Sequence, residues 1–159
     1  MEQQIKEQFT RAFYDTIKHS IQEQNFDHIV RLYAEIRDRL AKFIKKNAPT
    51  HQRLMAEFDV DLFEQMLRNN AFDGHSLVSL ITNTFKWIHD LQMPIRDSET
   101  EEAKQRVMQA GSTIIDVVPV YIKEAHGMIN ILEKDMQEFY ENRSHPVVQE
   151  MLRRSLQRK

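Results

Sequence analysis

Three glycines in 159 residues leave this chain few ways to turn. Glycine averages about 7% of residues, and sheet proteins spend it, with Asn and Pro, on the turns between short strands. A chain this poor in glycine must cover its length in long segments. Ile5, Phe9, Phe13, Ile17 and Ile21 recur at every fourth residue, which places them along one face of an α-helix. The same period returns downstream. The reading is all-α: a single-domain bundle of six to eight helices.

The pattern predicts a first helix over about Glu2–Gln24, with Asn25 closing it and opening the next. A second, about Phe26–Lys46, carries Ile29, Tyr33, Ile36, Leu40 and Ile44 and ends in Lys45 and Lys46, which suit the negative end of its dipole. Thr50 is the expected cap of a short helix to Phe58, and Asp59 or Asp61 that of another through Leu67. After the turn cluster Asn69–Gly74, a long helix spans about His75–Gln92 and stops before Pro94. The acidic run Asp97–Glu102 opens a further helix that softens at Gly111-Ser112. Thr113–Glu141 is the most apolar stretch, expected to be central and to be kinked or interrupted by Pro119. A last amphipathic helix runs from Val147 to Gln157, with Pro146 at its first position. The chain divides into a bundle over 1–142 and a C-terminal helix within 143–159.

Composition removes several function classes. There is no cysteine, hence no disulfide, thiolate nucleophile or Cys-type zinc site. The net charge of −2 gives no general attraction to nucleic acid. No apolar run is long enough to span a membrane, and the first residues lack the pattern of a secretory signal. The expected setting is intracellular and cytoplasmic, with the nucleus left open.

Catalytic and metal-binding patterns are missing too. The seven histidines show no HExxH spacing and no i,i+4 pair. His75 and His89 can share a helix face but stand about 21 Å apart along it. No Glu-x-x-His, Gly-x-Ser-x-Gly or phosphate-binding glycine loop occurs. Asp59 with Asp61, or Asp135 with Glu133 and Glu138, are the carboxylates nearest to an acid/base pair. The chain reads as non-enzymatic, with no metal and no cofactor.

Two surfaces remain as candidates for binding. One is the junction Met93-Pro94-Ile95-Arg96-Asp97. Its plainer reading is a cap, with Asp97 serving the next helix and Arg96 pairing locally. Its sharper reading is a buried Arg/Asp junction that sets the angle between helix pairs, or a recognition point. The other is the last helix, where Met151 and Leu152 lie beside Arg153 and Arg154, with Arg158 and Lys159 following. Arg31, Arg37, Arg39, Lys42, Lys45 and Lys46 are interleaved with Glu35 and Asp38 and make an ordinary mixed-charge face.

Several segments, in order, carry a resemblance. They are Glu35-Ile36 with Leu40, Asp61-Leu62 with Gln65, Ala71-Phe72-Asp73 with Leu77, Ile81, Pro94-Ile95-Arg96-Asp97, and Leu132-Glu133-Lys134-Asp135-Met136-Gln137-Glu138-Phe139. Over about Leu32–Tyr140 the chain resembles the T-complex protein 11 (Tcp11) family, with Leu132 standing for the first Met of that family's Met-x-x-Asp-Met segment. The resemblance implies an all-helical fold and no enzymatic chemistry. Better-described members are linked to cyclic-AMP and protein kinase A signalling and to sperm function. The expected function is therefore a protein-interaction or regulatory module, related to signal transduction, that binds a protein partner of unknown identity. Two alternatives are a self-assembling structural protein, viral or cellular, that forms a homo-oligomer, and a binder of nucleic acid or membrane surfaces.

Overall fold

Helical signals and breakers along the chain map onto eight α-helices and one 3₁₀ turn among the described residues, 2–142 and 146–157, of a computed structural model. The helices are α1 (Glu2–Gln22), α2 (Asp27–Ala41), α3 (Pro49–Glu57), α4 (Val60–Arg68), α5 (Gly74–Leu91), α6 (Asp97–Met108), α7 (Ile114–Glu141) and α8 (Pro146–Gln157). The 3₁₀ turn is Pro94–Arg96. No strand occurs among the described residues.

The helix ends follow local chemistry. The Asp59 carboxylate accepts from Leu62 N at 3.0 Å and starts α4; Asp73 does the same for α5 through Ser76 N at 2.9 Å. The cap expected at Thr50 is instead the backbone of Ala48, because Pro49 takes the first position of α3, where its missing N–H costs nothing. α2 ends at Ala41, short of Lys46: residues 42–46 continue only as turns, and Asn47 takes a left-handed φ of 72°. α1 likewise ends before Gln24, which has φ 57°. At Gly111 the φ of 156° combines with crowding, since an added Cβ would lie 2.5 Å from Asp116 Cβ. Only glycine fits that turn.

α7 is the axis. It packs against α1, α2, α5 and α6. Val117, Val118, Tyr121, Ile122, Ala125, Met128, Ile129 and Leu132 are all buried along it. Pro119 lies in its second turn, and the helix continues through it to Glu141. The ring removes one hydrogen bond near the end of the helix, a loss that the surrounding buried side chains tolerate. Tyr33, Phe58, Phe63 and Phe72 form an aromatic cluster where α2, α3 and α4 meet, with ring centroids 4.3–5.4 Å apart. Trp87 of α5 is buried; its indole N–H donates to Glu57 of α3, and the Arg53 guanidinium stands 4.9 Å above its ring.

Three arginines from three other segments clasp α7. Arg39 of α2 reaches His126, Asn130 and Glu133. Arg96 of the 3₁₀ turn reaches Asp135. Arg106 of α6 reaches Glu124 with both Nε (2.9 Å) and Nη2 (3.1 Å). Apolar burial supplies the adhesion; these forked, charge-assisted bonds fix the register of α7 against its neighbours.

Candidate interaction groove

The path from α5 to α6 is short and stiff. Met93 is extended, Pro94 begins the 3₁₀ turn, and Arg96 N closes it on Met93 O at 2.9 Å. Proline presets φ for that first position. The turn aims the Arg96 side chain at α7. Its Nε and Nη2 take both oxygens of Asp135, at 2.8 and 2.9 Å, while Nη1 donates to Glu99 at 2.8 Å. Asp135 is only 7% exposed, so this fork supplies hydrogen bonds that water cannot. Two carboxylates raise the Arg96 pKa above its ordinary value, the hydrogen bond to Asp135 being the larger cause.

The plainer sequence reading of this junction covers only the Arg96–Glu99 pair and the place of Asp97. Arg96 does not pair only with its neighbours, and its main partner is not Asp97. Asp97 stands in the first turn of α6, where the dipole favours an acid, and its Oδ1 also accepts from Gln92 Nε2 at 2.9 Å and lies 3.6 Å from His89 Nε2. Gln92 is itself buried and accepts from the Thr100 hydroxyl. Asp97 occupies the first residue of α6, and its amide bonds Pro94 O. A buried Arg/Asp junction does exist, with Asp135 supplying the carboxylate.

Above the ion pair lies an open groove of about 480 Å³. The 3₁₀ turn gives Met93 and Ile95, the end of α7 gives Glu138, Phe139 and Asn142, and α8 gives Val147 and Met151. Ile95 is 71% and Val147 59% exposed. The two candidate surfaces thus meet: Arg96 and Met151 line the same cavity. Arg153 and Arg154 stay on the exposed side of α8 and pair with Glu150, whose carboxyl is held below its usual range chiefly by the hydrogen bond from Arg153. Leu152 lies in α8, but its side chain is outside the described set, as are residues 158 and 159.

Sequence reasoning missed the Arg39 clasp. Arg39 donates to Glu133 Oε1 (2.9 Å), His126 Nδ1 (2.8 Å) and Asn130 Oδ1 (2.5 Å). Arginine can only donate, so Nδ1 is the acceptor and the ring proton sits on Nε2. Burial is the main cause that pushes the His126 pKa below its ordinary value, and the Arg39 charge adds to it. A signal was present: His126, Asn130 and Glu133 follow an i, i+4, i+7 spacing, which puts three polar side chains on one stripe of the helix.

The segment around Asp135 and the segment around Arg96 are two of the motifs that resemble the Tcp11 family, and here they grip each other. The family model described as T-complex protein 11 matches residues 1–152. The chain belongs to the T-complex protein 11 family. The match extends beyond Leu32–Tyr140 in both directions, taking in α1 and entering α8. In this T-complex protein 11 domain the ion pair, the groove above it and the Arg39 clasp all lie within matched residues. No solved structure matches the chain. No helix among its described residues is long and apolar enough to cross a membrane, and none of its His, Asp and Glu residues there group in threes that could hold a metal ion.

Proposed function

We propose that this domain is a non-enzymatic protein-interaction module, regulatory in role, that uses the groove between the 3₁₀ turn, α7 and α8. One observation carries the reading: apolar side chains at Ile95 and Val147 stand exposed at a cavity that the Arg96–Asp135 ion pair also lines. Exposed apolar surface around a concavity is the usual mark of a binding site. The charges of that pair are spent on one another, which suits a scaffold more than a reacting centre. Met93 and Met151 give walls that adapt to the occupant. The fitting occupant is an amphipathic helix with apolar anchors one turn apart. A place in cyclic-AMP-linked signalling inside the cell is the setting that family resemblance supports.

The test is a selection of helical peptides against the full chain, with Ile95→Asp as the counter-target. Bound peptides should lose at least about tenfold in affinity on Ile95→Asp, the scale of a lost apolar anchor. They should also perturb the methyl signals of Met93 and Met151. Peptides that bind both chains equally, or none at all, would defeat the reading.

A further inference from the structure

The first part of the apolar stripe of α1 stands exposed among the described residues. Ile17 and Ile21 are buried, whereas Ile5 is 48% and Phe9 72% exposed. Between α1, α2 and α7 opens a second groove of about 460 Å³, with Phe9 at its rim. Phe9 and Phe13 of α1, Leu32 of α2 and Ile122 of α7 give it apolar walls, and Glu35 and Lys123 also line it. Gly127 lies along it, and an added Cβ there would meet nothing within 4 Å. A large apolar knob and an apolar hole of more than its size therefore share one face.

That combination is what a twofold interface needs, since each copy's knob can enter the other's hole. The charges agree. Glu2, Lys6, Phe9 and Phe13 follow an i, i+4, i+7, i+11 spacing, so one acid and one base flank the knob. The hole likewise offers one acid, Glu35, and one base, Lys123. Among the described residues neither Lys6 nor Glu35 joins an ion pair. We infer that this face is a self-complementary docking surface whose occupant is α1 of a second copy of this chain. The two α1 helices cross so that each Phe9 enters the groove over Gly127 of the other copy, and Lys6 lies beside Glu35 of the other copy. This surface is separate from the groove at Ile95 and does not depend on what binds there.

Sedimentation of the full chain tests it. The expected result is a weak dimer, monomeric below about 1 µM and dimeric near about 500 µM, as befits an interface at the small end of the known range. Phe9→Glu should abolish the dimer. So should Gly127→Phe, which fills the hole without changing any residue of α1, so the test survives even if Phe9→Glu disturbs that helix. Lys6→Glu and Glu35→Lys should each weaken association by about tenfold, because a twofold axis counts each pair twice. The double variant should recover. A monomer at every concentration overturns the inference, as does a dimer that both Phe9→Glu and Gly127→Phe leave intact. A dimer lost on Ile95→Asp instead would place the contact at the other groove and overturn it equally. Failure of the double charge reversal to recover overturns the proposed crossing.

Discussion

Arg96 holds both carboxylate oxygens of Asp135 across 39 residues of sequence, at 2.8 and 2.9 Å. Replacing Arg96 by Ala strands a carboxylate that is 7% exposed. The expected loss is about 2 kcal/mol, less than the 3–5 of a fully buried pair because the arginine side chain partly meets water. Arg96→Lys should recover less than half of that, since an ammonium cannot reproduce the fork. Urea unfolding of the three chains measures both effects.

Thr84 and Tyr121 make an unequal pair. Thr84 Oγ1 donates to Leu80 O at 2.8 Å, so the buried Tyr121 hydroxyl must be the donor in the 2.8 Å bond between the two side chains. Thr84→Val leaves that hydroxyl without an acceptor and should cost about 1–3 kcal/mol. Tyr121→Phe removes the donor itself and leaves Thr84 bonded to Leu80, so it should cost less than about 1 kcal/mol. Equal thermal destabilisation by the two would contradict this assignment of the proton.

Acid should loosen the α2–α7 clasp in two stages. The His126 pKa is lowered in the folded chain from its ordinary 6.5, so the unfolded chain takes up a proton first, and stability falls as pH drops below about 6.5. Glu133, held below its ordinary 4.5 chiefly by the hydrogen bond from Arg39, contributes stability above that value. That contribution is lost at lower pH, as the folded carboxyl protonates. His126→Gln should flatten the first stage and leave the second. Denaturant midpoints between about pH 2 and 8 cover both stages.

Two glycines should respond in opposite directions to the same change. Gly111→Ala forces a Cβ to within 2.5 Å of Asp116 at a φ of 156°, and a loss above about 1 kcal/mol is expected. Gly127→Ala places a methyl in open space within α7 and should stabilise the chain by about 0.5–1 kcal/mol. Melting temperatures of the two variants should move apart.

The fold was legible because its apolar residues keep helical period. The order of the helices, the break at Gly111 and the central place of residues 114–141 all follow from that spacing. What the period cannot show is which part of a stripe finds a partner. Ile5 and Phe9 are spaced like Ile17 and Ile21, yet only the latter pair is buried. The groove was half legible. Met93–Asp97 and the last helix both stood out, but their meeting is a tertiary fact. Asp135 looked like a member of a carboxylate group, and nothing near it in sequence names Arg96 as its counter-ion. Helix ends failed where neighbouring turns decide them, as at Ala41, after which the chain turns rather than continuing the expected helix to Lys46.

The position of α7 also sets the order in which the molecule can be made. A ribosome delivers α1 and α2 first, yet both rest on α7, which comes more than a hundred residues after the start of α1. α3 and α4 can cover part of α2 early, but the buried end of α1 and the α7-facing side of α2 must wait until the late helix emerges. Nascent chains arrested before Ile114 should therefore be the ones that chaperones hold, and release should follow the synthesis of a single helix.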